Sequence, residues 1–218
     1  RIEYSKIGGH INLDAIDNSG GVSTSDYEVN IKLLLSEPML RGELSFEQRN
    51  SLLMACGDEI CKKVISQNKF QCRKISLAVK RSRKNLDYYK ALVEALEASG
   101  FLNRNEEFLP DNEIFEKRAA LKAGLTRPEL GVLIGYSKLA LTKTILKSDV
   151  PEDPYTERPL ISYFPSSLQQ QFLDDIRKHP LRREIIATQL VSKLIDRMGS
   201  TYILHLTTET GVSEAAAI

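Results

Sequence analysis

Asp14-Ala15-Ile16-Asp17-Asn18-Ser19-Gly20-Gly21-Val22-Ser23-Thr24-Ser25-Asp26-Tyr27-Glu28-Val29-Asn30 is the stretch on which the reading of this chain turns. Ile11–Ile16 reads as a strand. It runs into a turn at Asn18-Ser19-Gly20-Gly21, and Ser23-Thr24-Ser25-Asp26 opens a helix. Paired glycines permit positive φ and let another molecule approach the backbone closely. The hydroxyl cluster after them suits a helix N-terminus, an end that also attracts carboxylates and other anions. Ser25-x-x-Glu28 has the form of a capping box. Strand, glycine turn and helix start together describe a loop at the edge of an α/β site.

Outward from this stretch the pattern is helical almost to the end. The first helix is predicted to run to Leu35 and stop before Pro38. Ser45-x-x-Gln48 starts a second, whose stripe of Leu52, Leu53, Cys56, Ile60, Val64 and Ile65 ends near Asn68. A long segment from Gln71 to Ser99 is closed by Gly100. A shorter helix runs from Asp111 to Lys122 and is closed by Gly124. Thr126-x-x-Glu129, with Pro128 in the first turn, is a firm start signal for a helix reaching Lys147. Val150–Pro165 holds four prolines and should be mostly irregular, with one helical turn at Leu160–Tyr163. Helices follow over Ser166–Lys178 and Pro180–Met198, the second capped by Gly199. Tyr202–Leu206 fits strand or helix equally well, and another helix begins near Glu214.

Composition narrows the function classes. Thirty Lys and Arg against 29 Asp and Glu give no global pull toward nucleic acid or anionic membrane. With 42% hydrophobic residues, 218 positions suffice for one core and a small satellite. No apolar run approaches membrane-spanning length, and Arg1–Lys6 has no secretory pattern. Cys56, Cys61 and Cys72 are odd in number and match no zinc spacing, which points to reduced thiols in a cytoplasmic protein and to no metal site.

The opening stretch is similar to a known family. Asn18-Ser19-Gly20-Gly21-Val22-Ser23-Thr24-Ser25 resembles the Asn-Ala-Gly-Gly-Val-x-x-Ser segment near the end of the dinucleotide-binding domain in glutamate dehydrogenases and their amino-acid dehydrogenase relatives. The longer wording, Asp17 through Lys32, resembles the very large bacterial NAD-specific glutamate dehydrogenases. Gly124–Leu130, Tyr163-Phe164-Pro165 and His179–Thr188 match the same subfamily, in order, so the resemblance extends over nearly the whole chain.

The resemblance implies a set of roles. Ser25 matches the serine that contacts the side-chain carboxylate of glutamate, and Asn18 the asparagine beside the nicotinamide end of the cofactor. Val22 and Gly21 would line the substrate pocket, with Gly20 beside the cofactor. The cofactor is NAD, the partners are L-glutamate and 2-oxoglutarate, and the whole enzyme is expected to be a homo-oligomer in the cytoplasm. The family's catalytic lysine and aspartate match no position here, and no G-x-G-x-x-G follows a strand. The chain is therefore expected to be part of a larger enzyme, without catalytic residues and unable to bind NAD alone. The expected fold is mainly α: residues 1–36 as the tail of an α/β dinucleotide-binding domain, and 37–218 as a helical, bundle-like region.

Plainer readings stand beside these. Ser25 serves equally as a helix cap, Gly20 and Gly21 as a tight turn, Asn18 as a turn residue bonding its own backbone, and Val22 as core. On those readings the chain is a non-enzymatic helical interaction or regulatory module. Two positions depart from the family wording: Ser19 replaces alanine, and Asp26-Tyr27-Glu28-Val29 replaces Tyr-Phe-Glu-Trp. Asp26 would repel a carboxylate substrate unless it points away or finds a partner. The acid-free cationic run Lys69, Arg73, Lys74, Lys80, Arg81, Arg83, Lys84 reads as a solvated face or an interdomain contact rather than a nucleic-acid helix, because Phe70 is the one aromatic beside it. His10, His179 and His205 lie on unrelated elements, with His179 expected at a surface helix start.

Overall fold

The computed structural model describes all 218 residues, and none forms a β-strand. Two short helices, α1 (Ile2–Lys6) and α2 (Asp14–Asp17), precede α3 (Ser19–Leu40) and the 37-residue α4 (Phe46–Ser82). Then come α5 (Leu86–Ala98), α6 (Asn112–Ala120) and α7 (Arg127–Leu146). Single 3-10 turns at Val150–Glu152 and Pro154–Thr156 lead to α8 (Glu157–Tyr163), α9 (Ser166–Gln171) and α10 (Leu173–Arg177). The chain closes with α11 (Arg182–Met198), α12 (Tyr202–Thr210) and α13 (Glu214–Ala217).

Two apolar cores organise these helices. One surrounds α7, where Leu130, Leu133 and Ile145 meet Val93 of α5, Phe115 of α6, Ile75 of α4, and Val191 and Ile195 of α11. The other joins Tyr27, Ile31, Leu34 and Leu35 of α3 to Val64 of α4, Leu160 and Phe164 at α8, Leu168 of α9 and Ile176 of α10. Both α4 and α11 contribute to both cores.

The Thr126 start signal holds in full. Thr126 Oγ1 accepts from the Glu129 N–H, and Glu129 reaches back to the Thr126 N–H at 2.7 Å. Glu129 is fully buried, and Arg118 of α6 grips its carboxylate through two nitrogens, each at 2.8 Å. The Ser45–Gln48 capping box also forms, and Gly100 and Gly199 take positive φ at helix ends. Tyr202–Leu206 is helix.

Other boundaries differ from the sequence reading, each for a tertiary reason. Ile11–Ile16 is not a strand: residues 10–13 are irregular and α2 follows, its backbone satisfied locally by Asp17 N to Leu13 O (3.1 Å) and Asn18 N to Asp14 O (2.8 Å). A lone strand here would leave its ladder groups unpaired. Asn18–Gly21 is not a turn, because α3 starts at Ser19 and carries both glycines in its first turn. Pro38 sits inside α3 near its end, where losing one ladder bond is tolerable. Asn68 does not end α4: its side-chain amide donates to Ile16 O (3.3 Å) and Ser19 Oγ (2.8 Å), tying α4 to the α2–α3 junction. The predicted helix over 166–178 breaks at Phe172, whose ring is buried at the expense of helical φ and ψ. Lys122, at φ +53°, ends the turn after α6 instead of Gly124. Gly124 serves close approach: a Cβ there would lie 2.9 Å from Arg83 N and clash with Ser82 Oγ.

Candidate functional site

The residues singled out in the opening stretch lie on the N-terminal half of α3. Asn18 is its N-cap residue but makes no side-chain capping bond. Asn18, Val22, Ser25 and Val29 fall at spacings of four, three and four, which place them on one helical stripe. All four are exposed, Val22 at 63% and Val29 at 53%. Gly21 is exposed beside Asn18: a Cβ there would lie 3.1 Å from the Asn18 carboxamide oxygen, so glycine gives that side chain its room. Gly20 turns the other way, and a Cβ on it would meet Val64 of α4 at 3.9 Å.

Ser25 does not cap a helix. It stands in the second turn of α3, and its hydroxyl has no hydrogen-bond partner within the chain. No capping box forms with Glu28, which pairs with Lys32 instead. The anion-attracting helix end therefore lies at Asn18–Gly21, its N-cap about two turns before Ser25, the cap expected from sequence. A free hydroxyl and an uncommitted carboxamide share one exposed face near that end.

The opposite face of the same segment is engaged within the chain, except for the Asn30 carboxamide oxygen, which is buried without a partner. Tyr163 donates its hydroxyl proton to Asp26 Oδ2 at 2.8 Å. The Asn30 amide donates to Asp26 Oδ1 (3.1 Å) and to the Tyr163 oxygen (3.0 Å), and Tyr27 stacks on Tyr163 with ring centres 4.6 Å apart. Asp26 is thereby partnered and drawn away from Ser25, which answers the repulsion its position raised in the sequence. Burial pushes the Tyr163 phenol far above its ordinary range, and the Asp26 carboxylate pushes it further, so Tyr163 stays a donor.

His179 completes this network from α11's approach and is 3% exposed, not at the surface. Its Nδ1 accepts from the Leu181 N–H at 3.1 Å, which assigns the ring proton to Nε2, the donor to Asn30 O at 3.0 Å. Burial holds its pKa below the ordinary histidine value, with the bond to Asn30 opposing. From α4, Lys63 donates to the carbonyls of Ser162 (2.8 Å), Tyr163 (3.1 Å) and Phe164 (3.0 Å), while Glu59 accepts from the Ser166 N–H at 2.9 Å. Three motifs far apart in sequence, Asp26–Asn30, Tyr163–Pro165 and His179–Leu181, thus meet behind the exposed stripe. Sequence reasoning missed Tyr163, Asn30 and His179 as supports. The Tyr-Phe-Pro and His-Pro-Leu motifs were visible, but nothing in their spacing says that they converge.

No group of three or more His, Cys, Asp or Glu side chains is arranged to hold a metal ion. No helix is long and apolar enough to cross a membrane. The three cysteines are free.

Comparisons with known proteins agree with these motifs. Residues 1–78 match the family model of the bacterial NAD-glutamate dehydrogenase catalytic domain, and residues 122–218 match that of the glutamate dehydrogenase C-terminal region. A curated protein of Pseudomonas aeruginosa, named NAD-specific glutamate dehydrogenase, is 44% identical over 215 residues, which is 99% of this chain and 13% of that protein. A protein of the same name from Halomonas elongata is 41% identical over 215 residues, again 99% of this chain and 13% of its own length. Another of that name, from Mycobacterium tuberculosis, is 34% identical over 218 residues, 100% of this chain and 13% of its own. The chain spans about an eighth of the length of these relatives, 13% in each case.

Proposed function

Because this chain belongs to the bacterial NAD-glutamate dehydrogenase family, we propose that its α3 stripe forms one wall of the site where L-glutamate is oxidatively deaminated to 2-oxoglutarate and ammonia. The observation that carries this reading is the shared exposed face of Asn18, Gly21, Val22 and Ser25, whose polar groups have no partners within the chain. Isolated exposed valines are ordinary; two on one stripe with an unbonded serine between them suit a face covered by the rest of the enzyme.

In this reading the Ser25 hydroxyl donates to the γ-carboxylate of glutamate, and Val22 packs on its methylenes. Gly21 keeps the backbone low so that the substrate can approach. Asn18 turns its uncommitted carboxamide to the nicotinamide amide, with Gly20 beside it in the first turn. The positive end of α3 adds to the attraction for a carboxylate. NAD supplies the hydride acceptor, and its phosphates would be held outside these 218 residues, which contain no glycine-rich phosphate loop. Proton transfer also falls to groups outside this stretch. We assign residues 1–36 to the tail of the catalytic portion and 37–218 to a helical region that supports it. We further propose, from the family resemblance, that the whole enzyme is a cytoplasmic homo-oligomer, and the three free thiols suit a reducing compartment.

Ser25→Ala in the full-length enzyme tests the assignment. Losing a hydrogen bond to a charged group costs about 1.5–3 kcal/mol, roughly a ten- to hundredfold rise in KM for glutamate. kcat should hold, because the contact is remote from the reacting carbon and is made equally in ground and transition states. Tm should not fall, since an unbonded serine in an exposed helix turn gives way to a better helix former. An unchanged KM would remove Ser25 from the substrate site.

A further inference from the structure

Helices that pack face to face normally bury apolar stripes, but α4 and α11 face each other partly across polar ones. On α4, Lys62, Ser66, Phe70, Arg73 and Leu77 follow one another at spacings of four, four, three and four. On α11, Gln189, Ser192 or Lys193, and Asp196 or Arg197 recur at helical spacing opposite them. Between the two lies a cleft of about 720 Å³, within the size range of small-molecule sites.

The charge in this cleft is unbalanced. Two of its six cations are committed: Lys63 to the α8 carbonyls, and Lys74 to Arg197 O at 2.5 Å. Lys62, Arg73, Lys193 and Arg197 have no carboxylate within ion-pair distance. Of the two acids present, Glu59 faces Lys63 at 3.5 Å and Asp196 faces Lys138 at 3.5 Å. Burial, and then the neighbouring cations Arg197, Arg158 and Lys63, hold the Lys193 ammonium below its ordinary value. Like charges converging on one cleft repel, and a bound multivalent anion would relieve that repulsion. Guanidinium groups match phosphate oxygens in pairs, and ammonium groups bind them as point charges. The same wall carries an apolar strip, with Phe70 55% and Leu77 41% exposed.

We propose that this cleft binds an organic di- or triphosphate, its phosphates on Lys62, Arg73, Lys193 and Arg197 and its apolar part against Phe70 and Leu77. The site joins the segment matched by the catalytic-domain model to the segment matched by the C-terminal model, so its occupant clamps the two together. Of the cationic run in the sequence, Arg73 and Lys74 belong to this cleft, while Arg81 donates to Met198 O at 3.1 Å. The proposal stands apart from the glutamate-site reading and needs no dehydrogenase activity for its test.

Isothermal titration of the full-length protein with magnesium-free ATP and with tripolyphosphate is the experiment. Tripolyphosphate reports the cation cluster without competing for a dinucleotide's ring pocket. Both anions should bind, ATP the more tightly, and Lys193→Glu with Arg197→Glu should weaken both about tenfold or more. Phe70→Ala should weaken ATP and spare tripolyphosphate. Lys84→Glu, a charge reversal outside the cleft, should alter neither. If the double variant fails to fold, Lys62→Gln on the exposed rim supplies the same test. No binding of either anion, or an equal loss in Lys84→Glu, overturns the site; equal affinities with a silent Phe70→Ala overturn the apolar seat.

Discussion

Two stretches of family wording, Gly124–Leu130 and Asn18–Ser25, use polar residues in opposite ways. In the first the polar side chains bond within the chain: Thr126 caps α7, Arg127 donates to Asn12 and Ser76, and the buried Glu129 is gripped by Arg118 and by the Thr126 N–H. In the second, Asn18 and Ser25 face outward and Ser25 has no partner in the chain, while behind them the Asp26 carboxylate and the Asn30 amide N–H groups are engaged and the buried Asn30 carboxamide oxygen alone is not. The difference teaches how to separate a polar motif that folds the chain from one held ready for something else. What matters is whether its hydrogen bonds close within the protein.

The comparison breaks most sharply at Arg118. Arg118→Ala leaves Glu129 charged in the core without its main partner, and breaking such a pair costs about 3–5 kcal/mol. Urea denaturation of the variant should show that loss; a change below about 1 kcal/mol would mean that water reaches Glu129. On the outward face, Val22→Asp should do the reverse. The chain should keep its stability within about 0.5 kcal/mol, because the site is exposed. Under the proposed reading a second negative charge beside the substrate carboxylate should cut kcat/KM for glutamate by about 2–3 kcal/mol of transition-state binding. Steady-state kinetics on a variant of normal Tm reads it, and unchanged kinetics would place the stripe outside the site.

How much of this was legible follows the same division. The Thr126 box, the Ser45 box and the helical periodicity are local, so they were readable. The start of α3 was not, because glycine pairs and hydroxyl clusters suit a turn on local grounds. Here the junction with α2 and the Asn68 tie to Ser19 hold them in a helix. Phe172 breaks a helix for the sake of burial in a core shared with Leu34 and Leu35 of α3, more than 130 positions away, a demand no local window contains. The site stripe was legible as a set of residues, and its supports were not, because Asn30, Tyr163 and His179 meet across more than 130 positions.

Two smaller effects sharpen the boundary between the faces. Tyr163→Phe removes the donor to Asp26 and should cost about 1–2 kcal/mol of stability. By freeing Asp26 to swing toward Ser25 it should also raise KM for glutamate, an effect absent if Asp26 and the substrate never come near each other. The smallest concerns pH. His179 is held neutral, with its folded pKa depressed by burial, so the unfolded chain binds the extra proton more readily. Its contribution is complete above the unfolded value of about 6.5 and is lost as pH falls below that toward the folded pKa. Stability followed from pH 7 downward should decline less steeply in His179→Gln than in the parent, and parallel slopes would rule the histidine out.

The 37-residue α4 spans roughly 55 Å at about 1.5 Å per residue, and it lends side chains to both apolar cores. A rod shared in this way couples the two halves mechanically. Neither core can melt without stripping one side of the rod, so heating should give a single cooperative transition in place of two. Gln67 and Asn68, which hold Tyr27 and Ser19, stand on the stretch of the rod that walls the α11 cleft, so α3 is tied to that wall directly.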